Sequence, residues 1–159
     1  MVNDFEKVHF CLNCSSMFKE NEFEILKIKN YIFTLGFKKV KCPNCKKRGK
    51  FIELTYSWAK IISLLNKKGY KVVDCSIINR TKDKRYTYIA FDEPIMPNIK
   101  PKYMNYDSDW IFDDNILVKS NENLCVLKYE YYNENKFLFQ FEKLTSYLLK
   151  WAKAIPVNT

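Results

Sequence analysis

Apolar residues fall into two periodicities along this chain, and the switch between them outlines its elements. In "TYSWAKIISLLNKKGY", Trp58, Ile61, Ile62 and Leu65 recur at helical spacing. Gly69 follows, and glycine accepts the left-handed geometry that closes a helix. The pattern predicts a helix over 55–68. "YKVVDCSII" then alternates, with Val73, Cys75 and Ile77 on one face, and "RYTYIAF" sets Thr87, Ile89 and Phe91 opposite Tyr86, Tyr88 and Ala90. Two strands joined by the polar turn "NRTKDK" are expected. Residues 93–109 hold three of the five prolines and read as mostly loop. Shorter strands are expected at "NILVK" and "LCVLKYEYY". In "NKFLFQFEKLTSYLLKWAKAIP", Phe137, Phe141, Leu144, Leu148, Trp151 and Ile155 recur at steps of three and four, and Pro156 stands where such a helix ends.

Ahead of this run the texture differs. Cysteines occur at 11, 14, 42, 45, 75 and 125, and the first four form two C-x-x-C pairs. The chain therefore reads as α+β in two parts. Residues 1–53 are expected to form a cysteine-held module of zinc-ribbon type, and 54–159 a small domain with an antiparallel or mixed sheet and two helices, ordered helix, strand, strand, loop, strand, strand, helix. No flexible linker marks the boundary near residues 50 to 54, so the two parts are expected to pack together.

Two thiolates separated by two residues grip one ion from a tight turn. Two such turns complete a tetrahedral all-sulfur shell, which suits Zn2+ and leaves no open position. Cys11, Cys14, Cys42 and Cys45 are accordingly the expected ligands of a structural zinc. Pro43, Asn44 and Gly49 supply turn chemistry at the second pair. The spacer "FEILKIKNYIFTLGFKKV" carries strand-like residues and is long for a compact site, so an elaborated hairpin or a short helix is expected there. A segment of this size buries little apolar area alone, and a metal commonly makes up the deficit. Redox use of the thiols fits less well, because neither pair follows a strand at the start of a helix. His9, the sole histidine, finds no vacancy in a complete sulfur shell and is expected to pack or to face solvent. Cys75 and Cys125 lie in apolar strands and read as small buried hydrophobes.

The 159 residues carry a net charge of +9, from 27 Lys+Arg against 18 Asp+Glu. Such a balance attracts polyanions, although Lys-, Asn-, Ile- and Tyr-rich composition also raises it without any functional cause. Lys38, Lys39, Lys41, Lys46, Lys47, Arg48 and Lys50 crowd the second cysteine pair, and Arg80, Lys82, Lys84 and Arg85 form a second group on the "NRTKDK" turn and just after it. A metal-fixed turn makes neighbouring cations a defined patch for phosphates. Phe51 and the tyrosines of "YTYIAF" and "YEYY" offer stacking rings. A solubilising surface and half-buried strand tyrosines are the plainer readings of the same residues. Three glycines are too few for a glycine-rich phosphate loop. No apolar run approaches the roughly 20 residues of a membrane span, and "MVNDFEKVHF" lacks the features of a secretory signal. A cytoplasmic protein with reduced thiols is expected.

From Cys42 onward, "CPNC…FIELTYSWAKIISLLNKKGYKVVDCS…YTYIAFDEPI…LLKWAKAIP" resembles zinc-ribbon-type phage and prophage proteins of low-GC Gram-positive bacteria. Those proteins share a C-x-x-C knuckle, "LNKKGY", a strand into "C-S-G-H", a "YI-x-F" strand and a final "W-A-x-x-L-P" helix. The resemblance spans about residues 42 to 156 and implies a phage protein in a bacterial cytoplasm; it implies no activity. Here Cys75 and Ser76 match the motif, but its Gly-His is missing. The resemblance then leaves two ligand sets. In one, the upstream pair Cys11 and Cys14 replaces ligands of that motif; in the other, Cys75 joins Cys42 and Cys45. The first is favoured.

A closed sulfur shell cannot activate water, and His9 has no partnered nucleophile, so a non-enzymatic role is expected. The favoured reading is nucleic-acid contact through the basic patch. One alternative is a protein-binding inhibitor of a host defence system, an anti-CRISPR or similar protein engaging a host nucleic-acid-handling partner. Another is a metal-dependent enzyme using the acidic cluster Asp107, Asp109, Asp113 and Asp114, which reads more simply as a solvated turn before a strand.

Overall fold

The computed structural model describes residues 3–34, 37–47, 50–80, 85–106, 110–113, 116–119, 125–131 and 136–158. It is α+β, with antiparallel sheets and three helices among the described residues. Its contacts divide into two units, 1–63 and 64–159. The division falls inside the second helix, further along the chain than the change of texture near residues 50 to 54.

In the first unit β1 (Lys7–Cys11) pairs with β2 (Met17–Lys19) on one side and with β5 (Phe51–Thr55) on the other. Each cysteine pair thus lies against a strand of one sheet: β1 ends in Cys11, and β5 begins after the second pair. The spacer contains both features anticipated for it. Helix α1 (Glu20–Lys29) is followed by a hairpin of β3 (Tyr31–Thr34) and β4 (Phe37–Val40). Asn30 ends α1 by donating its amide to Leu26 and ties the hairpin base through its side chain to the Lys41 carbonyl at 2.8 Å.

Both faces of the sheet are covered, so β1 is buried from Val8 to Cys11. Register places Val8 beside Leu54 and Phe10 beside Ile52 on one face, and His9 beside Glu53 and Phe18 on the other. On that second face Phe23 of α1 stacks on the His9 ring at 4.0 Å and meets Phe51 edge-on at 5.0 Å. This is the packing role expected of His9; its Nε2 also meets Glu20 Oε2 at 3.1 Å.

Helix α2 (Tyr56–Lys67) occupies almost the predicted range. Thr55 Oγ1 accepts from the Trp58 amide, and the Tyr56 and Ser57 amides donate to the carbonyls of Glu6 and Asp4, so its first turn is capped by side chain and chain. Gly69 closes it at φ 91°, with Tyr70 N–H reaching back to Leu65 O at 2.9 Å.

In the second unit β6 (Val72–Arg80), β7 (Arg85–Phe91), β11 (Cys125–Tyr131) and β8 (Asn105–Tyr106) form one antiparallel sheet in the order β6-β7-β11-β8. The expected alternation on β7 describes its geometry but not its exposure: Tyr86 to Phe91 are all buried. A separate ribbon joins β9 (Trp110–Asp113) to β10 (Ile116–Lys119). Asp113 therefore ends a strand, which corrects the expected turn at that position. Asp107, Asp109 and Asp114 lie outside the described residues.

Helix α3 (Phe137–Ala154) carries the predicted stripe, and Phe137, Phe141, Leu144, Leu148 and Trp151 are buried, as is Ile155 just beyond it. Trp151 Nε1 donates to Ile99 O at 2.7 Å, which holds the proline-rich loop to the helix. Lys68 Nζ donates to the carbonyls of Lys153 and Ile155, and Tyr70 to that of Pro156, so the chain end is fastened to the Gly69 turn. Leu148 has no exposed surface. Leu148→Ala is expected to cost about 2–5 kcal/mol in denaturant unfolding, the range for an unfilled leucine cavity; a loss under about 1 kcal/mol would place the stripe outside the core.

Candidate metal centre

The two cysteine pairs adopt the same local structure. In the first, Ser15 N–H donates to Cys11 O at 2.8 Å and Cys11 N–H donates to Ser16 O at 2.9 Å. In the second, Lys46 N–H donates to Cys42 O at 2.9 Å and Cys42 N–H to Lys47 O at 3.0 Å. The residue after each second cysteine takes a left-handed conformation, Ser15 at φ 65° and Lys46 at φ 63°. Neither is glycine, so each turn holds a conformation costing roughly 1–2 kcal/mol. The turn aims amides at sulfur: those of Asn13 and Cys14 at Cys11, and those of Asn44 and Cys45 at Cys42.

The pairs converge. All four sulfurs lie within 4.8 Å of one another, and among the described residues they are the one group able to hold a metal ion. Cys11 Sγ is 4.0 Å from Cys45 Sγ, and Cys14 Sγ is 3.6 Å from Cys42 Sγ. These distances are far beyond a disulfide bond of about 2.05 Å. They match the roughly 3.8 Å edge of a tetrahedron whose centre lies about 2.3 Å from each sulfur. The donor set therefore fits a tetrahedral thiophilic ion, with Cys11 and Cys42 buried and Cys14 exposed. Cys75 is buried in β6 and is not among the clustered thiols. Cys125 is buried too, and its sulfur accepts from the Ile95 amide at 3.4 Å.

The thiols differ in how readily they ionise. Burial pushes Cys11 up to about 12, against the amides of Cys14 and Asn13. Burial likewise raises Cys42, opposed by the amides of Cys45 and Asn44. Burial also works against ionisation of Cys14, but hydrogen bonds from the Ser16 hydroxyl and amide and from Cys42 outweigh it and bring the thiol down to about 7. Ser16 Oγ lies 3.0 Å from Cys14 Sγ and accepts from Asn44 Nδ2 at 2.7 Å, so one hydroxyl bridges the two turns. Such outer partners orient ligands and tune them. Nothing in the spacing of the cysteines pointed to Ser16; a hydroxyl two residues beyond a ligand is a weak signal.

Protons and a metal compete for these sulfurs. Cys11 and Cys42 must each surrender a proton on binding, and below about 7 Cys14 must as well. Metal affinity is therefore expected to fall as pH falls, by about tenfold per unit for each proton displaced. Competition with a chromophoric chelator across pH 8 to about 5 measures this, and a flat profile would contradict thiolate ligation.

Compared with known protein families, curated proteins and solved structures, the chain gives no match.

The expected basic residues divide by location. Lys39, Lys46, Lys47 and Lys50 are exposed and Lys41 is half-buried. Lys38 lies on β4, where the backbone alone is described, and Arg48 lies outside the described residues. In the second unit Arg80 ends β6, again as backbone alone, and Lys82 and Lys84 lie outside the described residues. Arg85 is half-buried, its guanidinium 4.8 Å from the Phe137 ring centre, so it packs as well as carrying charge. Among the stacking candidates, Phe51 belongs to the aromatic cluster behind β1, and Tyr86, Tyr88 and Tyr131 are buried. Tyr129 is half-buried.

Proposed function

We propose that this is a non-enzymatic zinc-binding protein that contacts nucleic acid through the lysines around its second knuckle. The observation that carries the reading is that Lys39, Lys46 and Lys47 are exposed and, among the described residues, form no ion pair. Four carboxylates of the first unit pair with other lysines: Glu20 and Glu53 with Lys7, Glu24 with Lys27, and Asp4 with Lys60. Between Glu24 and Glu53 the sequence has no acidic residue at all. Lys46 and Lys47 belong to the hydrogen-bonded turn itself, so an ion in the sulfur shell fixes the backbone from which they project. Preset cations on a rigid turn lose little freedom when they meet phosphate and release counterions from it.

The test is binding of zinc-loaded protein to a mixed-sequence duplex DNA and to a duplex RNA over a salt series. Three or four phosphate contacts give a log–log slope of about −3 to −4. A slope near zero, or no binding at low salt, would refute the assignment. No helix among the described residues is long and apolar enough to cross a membrane.

A further inference from the structure

The second unit carries a cleft of about 590 Å³, well apart in sequence from the knuckle lysines. One wall is the surface of α3, and the other comes from Tyr103 of the proline-rich loop and Tyr129 of β11. The volume falls within the range of small-molecule sites, about 300–1,000 Å³.

Its chemistry is uniform in sign. Lys136, Lys143 and Lys150 line it at intervals of seven residues, which places them along one side of the helix, while no carboxylate is among the described lining residues. Lys143 Nζ lies 4.9 Å from the Phe139 ring centre, and Phe139 is 59% exposed, so the pair forms an open aromatic and cationic surface. Tyr103 of the other wall meets Tyr147 of α3 edge to face at 4.7 Å. Tyr147 Oη accepts the Lys102 amide at 2.8 Å, and its own proton is left to donate. Gln140 adds a specific requirement: its Oε1 is buried and has no hydrogen-bond partner among the described residues. A buried acceptor without a donor costs free energy, which a turn of the Gln140 side chain into the cleft to meet a ligand N–H restores.

We infer that this cleft binds a nucleotide unit, with phosphate on the lysines, the base against the tyrosine and phenylalanine rings, and a base N–H given to Gln140 Oε1. Rings and lysines alone would also serve an acidic peptide, but the planar exposed rings and the donor-seeking amide favour a heterocycle carrying amino groups. The unit has two possible sources, a free nucleotide or a residue of single-stranded nucleic acid. This inference does not rest on the knuckle patch, which lies in the other unit and uses other residues.

The experiment uses the zinc-loaded full chain and three probes. These are AMP and ADP by equilibrium dialysis, a fluorescein-labelled mixed-sequence RNA of about ten nucleotides by anisotropy, and a labelled poly-glutamate peptide by anisotropy. The Lys143→Glu/Lys150→Glu double variant reverses charge along the open side of the cleft, and Gln140→Leu removes the acceptor while keeping the shape. Binding of AMP or ADP that falls roughly tenfold or more in both variants supports the inference with a free nucleotide as source, tenfold being the scale of removing one base interaction. Binding of the RNA alone, with the same losses, supports it with a strand as source. The inference is overturned if no nucleotide probe binds, if either variant binds as the parent does, or if poly-glutamate binds as tightly as the nucleotides. Lys46→Glu/Lys47→Glu serves as the control: it should leave AMP and ADP binding unchanged, so failure of the knuckle proposal and failure of this one give different patterns.

Discussion

Cys42→Ser is expected to unfold most of the first unit. The variant should hold far less than one zinc per chain, lose amide protection in β1 and β5, and lose the first unit's share of the thermal transition. The magnitude follows from the architecture. A structural zinc contributes about 10–16 kcal/mol of apparent binding free energy near neutral pH, whereas a whole domain is stable by about 5–15 kcal/mol. The sheet it would secure has three strands, and β2 is only three residues long. Its two longer strands adjoin the cysteine turns, so separating the turns removes the constraint that brings β1 and β5 together. Ahead of helix α2, Val8, Phe10, Leu12 and Leu54 are buried and the second face is closed by His9, Phe23 and Phe51, which is little apolar area for a segment of about fifty residues. Chelation of the parent protein should reproduce the variant, and Cys75→Ser should retain full zinc. Unchanged metal content and melting behaviour in Cys42→Ser would show that Cys42 is not a ligand on which the first unit depends, and zinc loss in Cys75→Ser would favour the rival ligand set.

The legibility of this fold varied with the physics behind each element. Helix α2 and helix α3 were plain because their apolar stripes are long and end at Gly69 and Pro156, which stop helices for local reasons. The cysteine cluster was plain because C-x-x-C spacing restricts what four sulfurs can do. Helix α1 was foreseen only as one option for the spacer. Its apolar residues scatter: Phe23 is buried, while Ile25 and Ile28 are 53% and 70% exposed, so no periodic stripe announces it. Strand β9 escapes the sequence reading because Asp113 and the aspartates near it suggest solvent, although Trp110 to Phe112 are good strand formers. The cleft was invisible to sequence reasoning, since it joins a loop tyrosine, a strand tyrosine and a helix face that only tertiary structure brings together.

Reversing charge at Lys39, Lys46 and Lys47 should weaken polyanion binding by about a hundredfold or more at roughly 100 mM salt and flatten the salt dependence by roughly one unit of slope for each phosphate left unneutralised. These side chains are exposed, so the fold has little reason to change. The same lysines admit a competing role. Four thiolates around a divalent ion carry a net double negative charge, and nearby cations offset it. If compensation is their whole role, reversal weakens zinc and leaves polyanion binding alone. If phosphate contact is their role, polyanion binding collapses while zinc affinity shifts only slightly, because exposed charges are well screened. Lys46→Gly sharpens the distinction. It removes one cation at a φ of 63°, where glycine is more comfortable than lysine, so the turn should be as stable or more so while phosphate affinity declines. Retention of parental affinity and slope in both the triple reversal and Lys46→Gly would remove the second knuckle from the nucleic-acid contact.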